Sequence, residues 1–336
     1  MKITFKDVGQ GDSIIVEWSK DGINKIGIID CCKKGKKNPT LIHINNLNYT
    51  EIEFIILSHP HKDHYSGLLE LLEHAEKNKI IIKRFSQTVM LAGPTSYWKY
   101  FEIDSSDSRL LKKIIGKTRE LSELGIIKKN DTLLDGKGFH LEDNIGLVCL
   151  APSNEDIELY QQIVKLDADK NIKAASQAAN LLATVIKLKI DDNYILFTSD
   201  AECSALIGII KNYSKEFAGV KFHVCQLPHH GSEKNDSKEF WEIVETIEAR
   251  HAIISAGQNK KYNHPSYNVI KKFFDNGFKI HCTNIVNGMA EFTKDLKASK
   301  KASLILDGCS ELAEEYIKSN DRVFMMVDDM YSCIDN

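Results

Sequence analysis

The stretch IILSHPHKDHYSG (55–67) crowds three of the chain's twelve histidines and an aspartate into six positions: His59, His61, Asp63 and His64. It follows the apolar run EFIILS, whose continuous hydrophobicity predicts a buried strand. It precedes YSGLLELLEHAEKN, where Leu68, Leu69, Leu71 and Leu72 fall at helical spacing. The cluster therefore sits in a loop between the C-terminal end of a strand and a helix, where α/β folds keep their chemistry. In an extended loop, residues i and i+2 point the same way, so His59 and His61 can grip one cation as a pair. Asp63 and His64, at the turn into the helix, can aim at a second cation. A lone histidine at a strand end is an ordinary polar residue; H-x-H-x-D-H directly after an apolar strand is a metal signature. Imidazole and carboxylate ligands suit Zn²⁺, Mn²⁺ or Fe²⁺, and no thiolate lies in the cluster to favour Zn²⁺ alone.

A two-metal site needs a bridging anion and ligands from later loops. YILFTSDAE ends an apolar strand on Asp200, a position suited to bridging two cations, although the same residue could cap the helix that follows. LPHHGS supplies His229 and His230, followed by Ser232. Adjacent side chains diverge, so one histidine is expected to bind metal while the other contacts substrate or moves a proton. We favour His229 as the ligand and His230 for the proton, with the reverse assignment left open. YNHP (262–265) adds His264 as a further catalytic candidate, and Asp63 also counts as catalytic.

Length and composition narrow the class. A chain of 336 residues with 43% apolar and 27% charged residues is ordinary for a globular protein. A single domain of this size can bury about three-quarters of its unfolded surface. The net charge of −3 announces no global attraction to nucleic acid, although local basic patches remain available. The N-terminal MKITFKDVGQGD alternates like a strand and lacks a signal-peptide core. No window approaches a membrane span. The eight cysteines form no C-x-x-C pair, which fits a reducing cytoplasmic setting better than a disulfide framework.

Along the chain, KITFKDV, SIIVEW and KIGIID read as short strands, and IIIKRFSQTVML as a strand pair. Residues 96–128 read as a charged helical insertion rather than core, and residues 153–180 as a second helical insertion. HLEDNIGLVCLAP is strand, and ATVIKLKIDDNYILFTSD a hairpin. Helices are expected at 202–214 and about 237–248, with the strands VKFHVCQLP, HAIISAG and KIHCTN around them. There is no internal repeat and no linker. One domain over residues 1–295 is expected, with residues 296–336 as an appendix of helix plus strand packed on it. The insertion at 96–128 and the appendix are candidate docking surfaces for a protein partner.

Six segments in order carry a family resemblance: DVGQGDS (7–13), IID (28–30), SHPHKDH (58–64), SDAE (199–202), HHGS (229–232) and SAGQNKKYNHP (255–265). The chain resembles the metallo-β-lactamase fold superfamily of metal-dependent hydrolases. Within it the likeness is to the branch that includes the hydrolase domain of ComEC-type DNA-uptake proteins. The resemblance implies a four-layer αββα sandwich with a dinuclear site at one sheet edge. It implies that Asp30 orients a histidine ligand, and that Asp12 of GQGD lies near the metals. Two departures stand out. Relatives carry a further histidine between the cluster and the bridging aspartate, whereas here Asn180 stands in that interval. The membrane channel of the DNA-uptake proteins is missing, so this chain is not expected to be that transporter.

Two cations roughly 3.5–4 Å apart lower the pKa of a water between them to about 7 and neutralise the leaving oxygen. The resembled branch includes members that cleave DNA and phosphocholine esters. HHGS offers a spare histidine, and the basic runs KKGKK (33–37), KKIIGK (112–117) and NKK (259–261) could receive phosphates. The expectation is a phosphodiesterase or nuclease with two divalent ions, Zn²⁺ or Mn²⁺. The alternatives are a lactone, lactam or thioester hydrolase, or a metal-poor regulatory module in a multi-protein system such as defence.

Overall fold

The computed structural model describes residues 1–47, 49–166, 168–244, 246–259, 262–307, 319–327 and 330–334. Its strands fall into two large sheets. The first runs, edge to edge, Met330–Ile334, Arg322–Val327, Lys2–Phe5, Ile14–Lys20, Ile23–Ile29, Phe54–Leu57, Phe85–Gln87 and Asn130–Thr132. Its first five strands pair antiparallel and the rest parallel. The second runs Lys279–Cys282, Thr246–Ile254, Phe222–Gln226, Asn193–Phe197, Val185–Ile190, Ile145–Ala151 and Gly138–Glu142. Here the first four strands are parallel and the remainder antiparallel.

Strand alternation explains why the sheets stack. Ile14, Val16, Phe54 and Ile56 face Ile186, Leu188, Ile195 and Phe197 across one buried cluster between the sheets. The alternate residues Ile15, Ile55 and Leu57 point the other way, into a helical layer. That layer holds the helix Leu68–Asn78, which buries Leu68, Leu71, Leu72 and Ala75 at spacings of three and four. On the outer face of the second sheet, Cys203–Tyr213 covers Val185 and Leu196, and Tyr267–Asp275 covers Ile254 and Ile280. The result is helix, sheet, sheet, helix: the four-layer αββα sandwich expected from the sequence. No described helix is long and apolar enough to cross a membrane.

Several local expectations need correction. The helix Ser105–Glu123 is core, not a peripheral insertion: Leu111, Ile114, Ile115 and Leu121 enter the same cluster as Ile55 and Leu72. Its lysines and glutamates occupy the opposite face and mask the apolar stripe in the sequence. The helix Asn154–Lys165, closed by a Ser153–Asp156 capping box, joins the same layer through Tyr160, which stacks on Phe101. The proposed boundary at 295 falls inside the helix Asn287–Asp307. Arg322–Val327 then pairs with Lys2–Phe5, so the C-terminal strands complete the first sheet. The helix expected over 237–248 ends at Ile243, and the next strand already starts at Thr246. Cys309, Lys260, Lys261 and the segment expected as helix at 310–318 lie outside the described residues.

Candidate metal centre

The chemistry-bearing loops gather at the C-terminal ends of parallel strands. Ile29 leads to Asp30, Leu57 to His59, Phe197 to Asp200, Gln226 to His229 and Ile254 to the loop that carries His264. Backbone strain concentrates there. Asp30, Ser199, His229 and His230 all have positive φ (59, 45, 48 and 56°), a region that residues other than glycine adopt uncommonly.

Each histidine of the group is held at one ring nitrogen, which turns the other inward. His64 Nδ1 donates to Asp30 Oδ2 at 2.7 Å, while Asp30 also accepts from the Ser58 backbone at 2.8 Å and the Ser58 hydroxyl at 2.6 Å. His230 Nδ1 donates to the Ser255 carbonyl at 2.8 Å, and His61 Nε2 to the Ser176 carbonyl at 2.8 Å. His59 Nδ1 lies 3.3 Å from the hydroxyls of Ser58 and Ser199. Such outer partners set the tautomer and the aim of a metal-ligating imidazole.

The inward atoms converge on Asp200. Its Oδ1 is 3.5 Å from both His64 Nε2 and His230 Nε2; its Oδ2 is 3.7 Å from His59 Nε2 and 3.6 Å from His229 Nε2. Asp63 closes one side, 3.5 Å from His230 Nε2 and 3.9 Å from His64 Nε2. His61 Nδ1 closes the other, 3.2 Å from His59 Nε2. Asp200 does not cap the following helix, whose cap position is Glu202. His230 is buried between Asp63 and Asp200, whereas His229 is partly exposed beside His264, with ring centroids 5.5 Å apart. Asn180 donates to Glu202 at 3.1 Å and stands 3.4 Å from His229 Nδ1. Ser232 closes the His–His turn, its backbone N–H donating to the His229 carbonyl at 3.0 Å.

These residues fit divalent cations. His64 Nε2, His230 Nε2, Asp200 Oδ1, Asp12 Oδ1 and Asn180 Oδ1 are buried with no hydrogen-bond partner. Buried polar atoms left so cost about 1–3 kcal/mol each, and His64, His230, Asp200 and Asp12 fall into overlapping groups able to hold an ion. Asp63, His64 and His230 form one group able to hold an ion, and His59, His64 and Asp200 another.

The carboxylates and imidazoles of the group shift one another strongly. Burial alone would raise the Asp200 carboxyl, but His230, His229 and His64 outweigh it and hold the group well below the usual range. Asp63 is lowered too, burial being overcome by the adjacent His230 and the charge of His64. Burial pulls His64 down, yet Asp30 and Asp200 carry it well above its ordinary value. The same contest, won by Asp200, Asp63 and Asp12, places His230 at about 9. His59 goes the other way: burial and the nearby His64 hold it neutral, the ligating form. Burial, with His229 and His230 beside it, pushes His264 down to about 4.

The Gly-Gln-Gly-Asp loop owes its residues to close approach. A Cβ on Gly11 (φ 123°) would lie 2.2 Å from the Asp63 carbonyl oxygen, and one on Gly257 2.1 Å from the Gln10 nitrogen. The loop is thereby pressed against the centre, and Asp12 lies 3.8 Å from His64 Nδ1. Gln226, not singled out from the sequence, ties the loops together. It donates to Asp12 at 2.9 Å and accepts from the Thr198 and Ser199 backbones at 3.1 Å. Its only sequence signal is a polar residue ending an apolar strand. Ser58, Ser176, Ser199, Ser255 and Glu202 were likewise not singled out; Ser176 and Ser255 act through backbone carbonyls, which any residue supplies.

Asp30→Asn keeps an acceptor but loses the charge behind His64. It is expected to weaken metal binding on the order of tenfold, read by competition with a chromogenic chelator. Unchanged affinity would contradict the orienting role.

No protein-family model matches the chain. Over 55 residues the chain is 36% identical to ComE operon protein 3 of Bacillus subtilis (strain 168), a match that spans 16% of this chain and 7% of that protein's length. Among solved structures, it is similar to the metallo-beta-lactamase fold protein YhfI from Bacillus subtilis. That likeness has a TM-score of 0.44 at 9% identity and covers 84% of this chain and 95% of the other. It is also similar to a long form RNase Z from yeast, with a TM-score of 0.39 at 11% identity over 77% of this chain and 37% of the other.

Proposed function

We propose that the chain is a dinuclear metal-dependent hydrolase of phosphodiesters, nucleic acid among them, working with Zn²⁺ or Mn²⁺ in a reducing, cytoplasmic setting. The observation that carries this reading is the set of inward-turned imidazole nitrogens around the shared Asp200 carboxylate. In it, Asp63, His64, Asp200 and His230 would hold one ion, and His59, His61 and Asp200 the other. The ions supply a nucleophile at neutral pH and screen the negative charge of the phosphoryl group. Asp30, Ser176 and Ser255 keep three of the imidazoles aimed, so little reorganisation accompanies reaction.

The assignment of His230 as ligand leaves the partly exposed His229 and the neutral His264 at the mouth. There the two rings can donate hydrogen bonds to phosphoryl oxygens and steer the departing alkoxide. A phosphodiester suits such a rim. Cys31, Cys32, Cys149, Cys203, Cys225 and Cys282 are free thiols, in keeping with a reducing setting.

The test is a substrate panel on protein stripped with chelator and reloaded. Hydrolysis of bis(p-nitrophenyl) phosphate and DNA is expected with Mn²⁺ or Zn²⁺ and not with the stripped protein. Turnover confined to lactones, lactams or thioesters would rule the reading out.

A further inference from the structure

We infer that a buried histidine pair, His251 and His281, is a pH-sensitive latch that joins the C-terminal strands to the second sheet and lets go in acid. None of its residues belongs to the metal centre, so the inference holds whatever bond that centre breaks.

The two histidines sit on the neighbouring strands Thr246–Ile254 and Lys279–Cys282, and both are buried. Their rings meet edge to edge, His251 Nδ1 lying 2.8 Å from His281 Nε2. On its other side, His251 Nε2 lies 3.1 Å from the Tyr331 carbonyl, on the edge strand Met330–Ile334 of the first sheet. A carbonyl can only accept, so His251 Nε2 carries a proton and donates it. Neutral His251 is then bare at Nδ1, and His281 Nε2–H donates to it there. One proton fits between two ring nitrogens at this distance. A second, added to His251, would set two N–H groups head to head and part the rings.

The neighbours raise that cost. Lys279 acts on both rings as a positive charge, and the buried Arg322 of the strand Arg322–Val327 acts on His281. His223, on Phe222–Gln226, packs its ring 5.8 Å from that of Tyr331, and its Nδ1 is buried without a hydrogen bond. Phe324 closes the seam with an apolar ring, 5.5 Å from His251 and 5.2 Å from His281. Asp191 acts on Tyr331. Burial and Lys279 hold His251 down at about 4, burial and His251 hold His281 well below its ordinary value, and burial lowers His223.

Opening the seam exposes the rings, which regain the ordinary imidazole value of about 6.5. Below that pH the open state binds more protons than the closed one, so acid favours opening. The latch is therefore at full strength above about pH 6.5 and weakens as pH falls towards the His251 value of about 4. One proton taken up by His251 makes opening roughly thirtyfold easier at pH 5 than at pH 8. The seam is also tied to the Gly-Gln-Gly-Asp loop. Asp321, beside Arg322, accepts from the Asp7 backbone at 2.8 Å and pairs with Lys6 at 2.5 Å. An open seam frees that anchor.

Hydrogen–deuterium exchange of the full-length protein, corrected for the intrinsic pH dependence of exchange, reads the opening of Arg322–Val327 and Met330–Ile334. Both strands are expected to open at least about tenfold more readily at pH 5 than at pH 8, while Ile14–Lys20 of the same sheet stays closed. His251→Gln keeps an amide N–H for the Tyr331 carbonyl but cannot take up the proton, so it should remove most of this difference. His140→Gln, at an exposed histidine, should leave it intact. Equal opening at both pH values, the same change in Ile14–Lys20, or full acid sensitivity in His251→Gln overturns the inference. If His251→Gln fails to fold, NMR titration of the His251 ring in the wild-type protein decides. A ring still neutral at pH 6 in the closed protein supports the latch; one that titrates near its ordinary value of about 6.5 while the strands stay closed overturns it.

Discussion

Asp200→Ala is expected to lower phosphodiester turnover at least about a thousandfold, on the scale of losing charge stabilisation and an ion together. The reason is that one buried carboxylate faces four imidazoles. Oδ1 looks to His64 and His230, and Oδ2 to His59 and His229. In the proposed two-ion centre, removing it would take an anionic ligand from both ions at once, whereas Asp63 faces His64 and His230. Metal content and activity should therefore fall together in Asp200→Ala. The stripped variant should also keep its fold, because Asp200 does not cap the helix Cys203–Tyr213. A variant with full metal content and near-normal turnover would show that the bridge carries no function.

Gly11→Ala should do comparable damage without touching a ligand. The added Cβ would meet the Asp63 carbonyl oxygen at 2.2 Å and the Asp63 Cβ at 2.9 Å, and neither can move freely. Asp63 begins the short turn into His64, and its carbonyl accepts the Asp12 backbone at 3.0 Å. Displacing it by about 1 Å is expected to cost about a hundredfold in kcat/KM. The positive φ of 123° adds strain, so the melting temperature should drop by several degrees, about 2–4 °C per kcal/mol for a chain longer than about 150 residues. Steady-state kinetics beside a thermal melt separates the two effects. Normal kinetics would mean that the loop does not press on the centre.

Much of this centre was legible because strand-end ligands leave a local pattern. HPHKDH follows an apolar strand, and Asp200 follows YILFTS; polar groups clustered at the end of a buried strand are costly to desolvate unless something pairs with them. Which histidine of HHGS is the more deeply buried was not legible. Two successive left-handed residues, His229 and His230, decide it, and backbone geometry of that kind has no side-chain signature. The supports at Ser176 and Ser255 are carbonyl groups, equally silent. In the scaffold, alternating strands marked both sheets, yet the helix Ser105–Glu123 passed for surface because charged residues outnumber its buried stripe. The C-terminal strands passed for an appendix because pairing between residues some 320 positions apart leaves no mark in either segment.

Metal stoichiometry by elemental mass spectrometry, on protein purified without chelator and titrated with Zn²⁺ and Mn²⁺, tests the proposed two-ion centre most directly. About two equivalents per chain are expected, falling below one in Asp200→Ala. Well under one equivalent in the wild-type protein, even at saturation, would contradict it.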